Sequence, residues 1–310
     1  AAIVFALSRF RHPFAKIYLF ATAGYATSGL LDACTSYGTQ LLWPFSDARI
    51  AWNNIAIIDP VFSLTLLLLL FTALIWRIRG AAIAAVAFGL SYLGLGVLQN
   101  HRAASALEQL AEARGHTPEQ LTVHPTVFNL LLWRGNYRDG DTFYVDAVRV
   151  SPFGAPIIYT TGTSVKKLPG PEAIPDLSPD SVLAADIRRF RHFSSDYLYR
   201  YPNRPELIGD LRYSILPYSA TPLWAIEVDT QKPNQHVPPL TQMRRVNDEN
   251  WTRFTSMLKG QTAIDIPPRS IEAAAEVAPQ SITDPTPLTA TQTAFDDAPS
   301  ATLRSSEIAP

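Results

Sequence analysis

The sequence has little of what usually identifies an enzyme. It contains one cysteine, Cys34, which excludes an intramolecular disulfide and a metal site built from several cysteines. The signatures HExxH, CxxC, GxGxxG and GxSxG and the phosphate-binding P-loop are absent. The six histidines are scattered without the spacing of metal ligands, and we interpret each as a surface residue. These motifs therefore indicate no reaction class.

Charge is also scarce in the first third of the chain. The whole sequence carries 26 basic and 27 acidic residues, a net charge of −1, so it has no basic field for DNA or RNA and we expect no nucleic-acid partner. Between residues 17 and 76 only four side chains are charged: Asp32, Asp47, Arg49 and Asp59. The sequence predicts a transmembrane helical domain over residues 1–100, followed by a water-soluble region.

Three apolar runs approach the length of a transmembrane helix, which needs about 20 residues for roughly 30 Å of hydrocarbon. They are residues 17–39, if Asp32 is accepted inside the helix, residues 60–76 and residues 80–100. Residues 1–7 are apolar but too short to cross, and we interpret them as the cut end of a longer helix in a chain that lacks an N-terminal part. We expect about three spans plus this cut helix, with the lipid bilayer as the main partner.

The orientation follows from the basic residues. They precede the first span and separate the second from the third: Arg9, Arg11, Lys16, Arg77 and Arg79. Because cytoplasmic segments are enriched in lysine and arginine, these two segments are predicted to face the cytoplasm. The loop of residues 40–58 and everything after residue 100 then lie on the other side, which in a bacterium is the periplasm.

The region after the spans predicts a small α+β domain over residues 101–262. The predicted helices are 103–114, 178–193, which Ser178 caps, and 251–258. The predicted strands are 126–133 and β-rich pieces at 197–201, 207–216 and 222–228. A turn at 138–141 leads to a further strand, in which Phe143, Val145 and Ala147 share one face. Residues 263–310 have too few apolar side chains to offset the entropy of ordering, so they predict a disordered tail.

Asp32 is the candidate functional residue of the membrane region. A carboxylate inside a membrane helix costs several kcal/mol unless water, a metal or a partner compensates it, which favours a functional role. Ser28 precedes it by one helical turn and lies on the same face, although serine is a poor metal ligand. The alternative is an aspartate at the helix end, in the membrane interface.

Asp59 and the loop before it have simpler interpretations. Asp59 followed by Pro60 is typical of a helix start, with aspartate as the N-cap, although metal binding is the alternative. The loop carries Trp43, Phe45, Trp52, Asn53 and Arg49, which an aromatic belt at the membrane surface explains without a binding site.

One stretch resembles a known family. It is GYATSGLLDACTSYGTQLLWPFS at residues 24–46, followed by IIDP at 57–60, and the likeness continues through LLWR at 131–134 and FYV at 143–145. These residues resemble the bacterial inner-membrane metal-dependent hydrolases that are also called LexA-binding. The resemblance covers most of residues 1–150.

The resemblance implies a multi-span membrane protein in which a divalent metal ion, such as zinc, activates water for hydrolysis. That family presents an HxxxD pair, and this chain keeps Asp32 but has Ser28 at the histidine position. We therefore predict a membrane-bound metal-dependent hydrolase of unknown substrate, with Asp32 as the surviving metal ligand. The alternative function is a non-catalytic membrane anchor whose soluble domain binds a protein or an envelope component.

Overall fold

Four helices begin the described fold. The structure, a computed structural model, describes residues 2–7, 13–202, 204–240 and 247–261, so the predicted tail lies outside it. The first four helices are α1 (Ala2–Leu7), α2 (Phe14–Ala33), α3 (Pro60–Ile75) and α4 (Arg79–Ala113). Among the described residues, only α4 is both long and apolar enough to cross a membrane. The spans predicted at α2 and α3 stay predictions.

The first predicted span is too long at its C-terminal end. Helix α2 stops at Ala33, six residues before the predicted limit at Thr39. Beyond it the backbone bonds to the following loop instead of continuing the helix: the carbonyl of Ala33 accepts from the N–H of Trp52 at 2.7 Å, and that of Cys34 accepts from Asn54 at 2.8 Å. These tertiary bonds end the helix, which apolar composition alone does not reveal.

Helices α3 and α4 pack against each other as a hairpin. Asp59 is the N-cap of α3, as predicted, because its Oδ1 accepts from the N–H of Phe62 at 3.1 Å and Pro60 takes the first helical position. The other carboxylate oxygen accepts from the hydroxyl of Tyr92 on α4 at 2.7 Å. Asp59 therefore ties the two helices together as well as starting α3.

Helix α4 is continuous across the predicted domain boundary at residue 100. Its 35 residues extend for about 52 Å. Gln99 and Arg102 stand near the boundary, and both are satisfied by the domain that follows: Gln99 Nε2 donates to the Val150 carbonyl at 2.8 Å, and an Arg102 N–H donates to the Ser151 carbonyl at 2.7 Å. Because these bonds satisfy the polar side chains, the helix continues beyond the point where its polar residues begin.

The domain contains two antiparallel sheets of four strands each. The first sheet is a meander of β1 (Gln120–Pro125), β2 (Leu132–Asp139), β3 (Thr142–Arg149) and β4 (Ile158–Lys166). The second has the order β5 (Leu198–Tyr201), β6 (Arg204–Asp210), β7 (Ala225–Glu227) and β8 (Pro239–Leu240). Two further helices are α5 (Val182–Phe193) and α6 (Asp248–Lys259). The predicted α+β class and the hairpin turn between β2 and β3 are confirmed.

The end of α4 forms the core on one face of the first sheet. Its buried Leu107 and Leu110 pack with Trp133 and Tyr137 of β2. The polar partner of this layer is Asp146, which lies under α4 rather than in solvent. A bidentate ion pair joins its carboxylate to the guanidinium of Arg114, with N···O distances of 2.7 and 3.0 Å. Both side chains are buried.

The other face of the first sheet meets the second sheet. The predicted shared face of Phe143, Val145 and Ala147 is confirmed, since all three are buried. Phe143 and Val145 pack with Tyr199 of β5 and with Tyr197 just before it, whereas Ala147 packs with α6. The far face of the second sheet is covered by α5. The resulting order of layers is α4, first sheet, second sheet, α5.

One predicted strand is wrong for most of its length. Strand β1 ends at Pro125 and β2 begins at Leu132, so residues 126–133 are mainly a turn. Asn129 holds this turn, because its Oδ1 accepts from the N–H groups of Leu131 and Leu132 at 2.8 and 2.7 Å. A side chain that satisfies backbone donors in this way replaces strand pairing.

The predicted start of α5 is also wrong, by three residues. Ser181, not Ser178, is the N-cap, and its Oγ accepts from the N–H of Ala184 at 3.2 Å. The same hydroxyl donates to the carbonyl of Ser178 at 2.6 Å. Two serines three residues apart offer equivalent capping chemistry, and this second bond selects the later one.

Candidate functional site

A cavity of about 310 Å³ lies where the loop after α2 meets the α+β domain. The loop contributes Ser36, Tyr37 and Ile57, and the domain contributes residues from the β1–β2 turn, the segment after β6 and helix α6. Small-molecule sites have volumes of roughly 300–1,000 Å³, so this cavity is at the small end of that range. It is the candidate site.

The loop is fastened to the domain beside the cavity. The hydroxyl of Tyr213 donates to the carbonyl of Ser36 at 2.5 Å, and the rings of Tyr37 and Tyr213 pack edge to face with centroids 5.2 Å apart. Arg49 donates to the carbonyl of Tyr37 at 2.7 Å and lies 5.2 Å over the ring of Phe193. The loop and the domain therefore lie on the same side of the α3–α4 hairpin, and the predicted topology stays a prediction.

His124, on β1, is a buried wall residue, so its interpretation as a surface histidine is wrong. Its Nδ1 lies 3.0 Å from Oδ1 of Asn53, and because an amide oxygen can only accept, the ring donates this bond. Burial, with the nearby Arg212 and Arg134, lowers the pKa of His124 to about 3. The imidazole is therefore neutral at physiological pH, and its buried position reflects its bond to the loop.

Arg134, on β2, is buried and bonds only to backbone carbonyls. Its guanidinium donates to the carbonyls of Leu211, Pro217 and Ser219, at distances of 2.6 to 3.2 Å. It also donates to Leu216 at 3.4 Å. Burial lowers the pKa of Arg134 to about 10. The side chain fixes the whole segment that follows β6 and brings a positive charge to the cavity wall.

Arg212, the second arginine of the wall, is paired. Its Nε and one terminal nitrogen donate to the Asp210 carboxylate at 3.0 and 2.7 Å. Further bonds reach the hydroxyl of Ser195 at 3.1 Å and the carbonyl of Phe193 at 2.6 Å. Burial lowers the pKa of Arg212, but the Asp210 carboxylate more than offsets this and the net shift is upward. The pair contributes no net charge to the cavity.

The mouth of the cavity is apolar. Phe128, Trp251 and Phe254 form a row of rings, with centroids 6.3 Å apart for the first pair and 5.7 Å for the second. Phe128 and Trp251 are substantially exposed, and so is the neighbouring Ile57. The backbone N–H of Phe128 donates to the carbonyl of Ile58, two residues before α3 begins, at 2.8 Å. The mouth therefore lies next to the end of a predicted membrane span.

Asp32 lies outside this cavity. It is the penultimate residue of α2, with an exposed side chain, and its backbone carbonyl accepts from the Thr35 hydroxyl at 2.7 Å. The Ser28 hydroxyl is turned to its own helix, where it donates to the carbonyl of Tyr25 at 2.7 Å. In the described part of the chain, no three histidine, cysteine, aspartate or glutamate side chains form a group that could hold a metal. The expected metal role of Asp32 remains a prediction.

The predicted aromatic loop divides into two parts. Trp43 and Phe45 are exposed, Phe45 by 95%, as an interfacial belt requires. Asn53 and Arg49 are instead bonded to the domain, through His124 and Phe193. The residues quoted for the resemblance already include part of the cavity lining, because residues 24–46 contain Ser36 and Tyr37, IIDP begins with Ile57 and LLWR ends in Arg134.

Comparison with known proteins adds one match. No curated protein and no solved structure matches the chain. One family model matches the part of the chain that contains α1 to α3, the loop that borders the cavity and the apolar part of α4. The match supports the expected inner-membrane location, and its description names no reaction. Residues 1–103 are similar to the family described as YdjM inner membrane protein.

Proposed function

We propose that the protein is a membrane-anchored binding protein whose α+β domain holds an envelope component in the cavity. One observation carries this proposal: the ionisable groups of the cavity wall are already committed to structural bonds. His124 donates to Asn53, Arg134 binds carbonyls, and Arg212 is paired with Asp210. A general acid, a general base or a nucleophile needs a side chain within reach of the substrate and free to exchange a proton. The arrangement favours binding over catalysis.

A cavity-filling variant tests this proposal. Ser214 lines the cavity, so Ser214→Phe should occupy it, whereas Ser178→Phe places the same ring on the exposed surface before α5. Native mass spectrometry of the protein released from detergent should show a bound small molecule on the parent and on Ser178→Phe, but not on Ser214→Phe. The same added mass on all three proteins, or no added mass on any of them, would contradict a ligand in the cavity.

The metal-dependent hydrolase implied by the resemblance is the second proposal. The observation in its favour is that the Asp32 carboxylate is exposed at the end of α2, where an ion could reach it. Ser28→His would add an imidazole one turn earlier, on the same face. If Asp32 is a ligand, Ser28→His should tighten zinc binding in isothermal titration and Asp32→Ala should abolish it. Equal zinc affinity in parent, Ser28→His and Asp32→Asn would instead support an interfacial aspartate.

We further propose that the domain faces the periplasm, with α2, α3 and α4 all crossing the inner membrane. Single cysteines in a Cys34→Ala background test this with a maleimide that does not cross the inner membrane. Phe45→Cys in the loop and Phe153→Cys in the domain are both well exposed and should be labelled in cells with a permeabilised outer membrane. Arg77→Cys, in the α3–α4 turn, should be labelled only after lysis. The opposite pattern would reverse the orientation.

A further inference from the structure

The polar part of the cavity wall has more positive than negative charge. It holds the two guanidinium groups of Arg134 and Arg212, and the carboxylate that acts on both is that of Asp210. That carboxylate is bound bidentately to Arg212. Arg134 bonds only to carbonyl oxygens. A buried charge without an opposite charge is unfavourable, so this wall is complementary to an anion.

A hydroxyl of the cavity lining is without a partner among the described residues. Ser214 Oγ is buried and forms no hydrogen bond within the described residues, and Ser214 and Arg134 both line the cavity. Buried polar atoms are normally paired, so an unpaired one on a cavity wall indicates a bond that a ligand completes. A carboxylate accepts from a hydroxyl and from a guanidinium.

The apolar part of the cavity wall suits hydrocarbon. Its walls include Val127, Phe128, Trp251 and Phe254, and the mouth lies beside Ile57, three residues before α3. If α3 spans the bilayer, the mouth is at the membrane surface, where an acyl chain is available. A volume of about 310 Å³ is small for a binding site, which favours a single chain over a lipid with two.

We propose that the cavity binds a single-chain anionic amphiphile of the fatty-acid type, taken from the bilayer, with its carboxylate at Arg134 and Ser214 and its chain among the aromatic rings of the mouth. This inference rests on the proposed binding function and specifies its ligand. It places a charged head and an apolar tail in one site. Both sequence regions that form the site, the loop after α2 and the domain, are needed to complete it.

Photoaffinity labelling of the full chain in phosphatidylcholine nanodiscs tests the inference. The probes are diazirine-bearing palmitic acid and diazirine-bearing hexadecanol, which share the chain and differ in the charged group. We expect the acid to label the peptides of residues 211–217 or 250–254 about tenfold more than the alcohol. Unlabelled palmitate should compete. Ser214→Phe should remove this labelling and Ser178→Phe should retain it.

The outcomes separate the ligand class from the binding function. Equal labelling of the cavity by acid and alcohol, removed by Ser214→Phe, would overturn the anionic specificity and leave the binding function standing. Labelling confined to α2, α3 and α4, unchanged in Ser214→Phe, would overturn the amphiphile site. It would show that the cavity does not bind this class of ligand.

A second pair of variants addresses the charge without relying on one fold-sensitive substitution. Arg134→Lys keeps the positive charge and Arg134→Gln removes it, while both lose bonds to the carbonyls of the segment after β6. The comparison is valid when the thermal unfolding midpoints of the two variants lie within a few degrees of each other. The lysine variant should then retain the preference for the acid, and the glutamine variant should lose it. The same preference in both would overturn the role of Arg134, and Ser214→Ala then tests the remaining donor.

Discussion

The hydroxyl of Tyr213 donates a hydrogen bond of 2.5 Å to the backbone carbonyl of Ser36, across 177 positions of sequence. Ser36 lies three residues beyond the end of α2, whereas Tyr213 follows the second strand of the second sheet. Both residues are buried. This bond joins the loop after α2 to the domain at the edge of the cavity, so the two regions form one wall rather than separate modules.

Removing that hydroxyl should weaken the junction. We expect Tyr213→Phe to destabilise the protein by about 1–3 kcal/mol, because the buried carbonyl of Ser36 is left without its donor. Thermal unfolding in detergent and the rate of proteolysis within residues 40–58 measure the effect. Tyr218→Phe is the matched control, since its hydroxyl only accepts an exposed bond from Arg253. A loop equally resistant in both variants would show that Tyr213 does not hold it.

Substituting alanine for each of two glycines of α4 should affect stability in opposite ways. A Cβ added at Gly96 would lie 2.2 Å from the carbonyl oxygen of Asn54, whereas one added at Gly94 would meet nothing within 4 Å. Gly96→Ala should therefore displace the loop and destabilise by about 1–3 kcal/mol. Gly94→Ala should be neutral or stabilising by up to about 1 kcal/mol, because alanine favours the helix. Similar thermal midpoints for the two variants would contradict the close approach at Gly96.

The sequence predicted local elements better than the contacts that connect them. Charge depletion predicted the apolar helices, and Asp59 with Pro60 predicted a helix start. Both signals lie within the segment whose structure they predict. The close approach at Gly96 is to the loop backbone at Asn54, which lies in a different segment of the sequence. The continuity of α4 was missed because Arg102 marks a polar boundary, and its bond to Ser151 depends on the tertiary fold.

The Arg114–Asp146 ion pair should be essential for folding. Removing one partner of a buried pair costs about 3–5 kcal/mol, because the other charge is left uncompensated. We expect Asp146→Asn to lower the unfolding midpoint sharply. Glu249→Gln removes the partner of Arg253 in an exposed pair on α6, where the expected loss is about 0.5 kcal/mol or less. An equal effect of the two substitutions on thermal stability would contradict the burial of Asp146.

His124 should make stability depend on pH. Its pKa is about 3 in the folded chain and near 6.5 when unfolded, so between these values only the unfolded state binds the proton. The contribution of His124 is fully present above pH 6.5 and falls by about 1.4 kcal/mol per unit as the pH drops toward 3. His124→Gln removes this titration and keeps a donor for Asn53. The stability difference between pH 7.5 and 5.5 should therefore be smaller in the variant, and equal differences would show that the histidine is solvated.

The candidate site could be predicted only in part. Asp32 drew attention because a carboxylate among apolar residues is a local anomaly. The cavity residues are not anomalous in their own segments: His124 is followed by a proline in a short strand, and Arg134 ends an apolar run. Their meaning comes from Asn53 and from the carbonyl of Leu211, which are about 70 and 77 positions away. Such pairs leave no trace in spacing or composition.

The unbroken helix α4 connects the candidate membrane span directly to the domain. Its N-terminal part is the longest apolar helix described, and its last turns are buried in the core on the first sheet, so no joint separates the two. A helix adjusts to a thinner bilayer by tilting, and over about 52 Å a tilt of about 10° displaces the far end by about 9 Å. If α4 crosses the bilayer, a change in membrane thickness that tilts the helix would displace the domain together with the loop that is bonded to it.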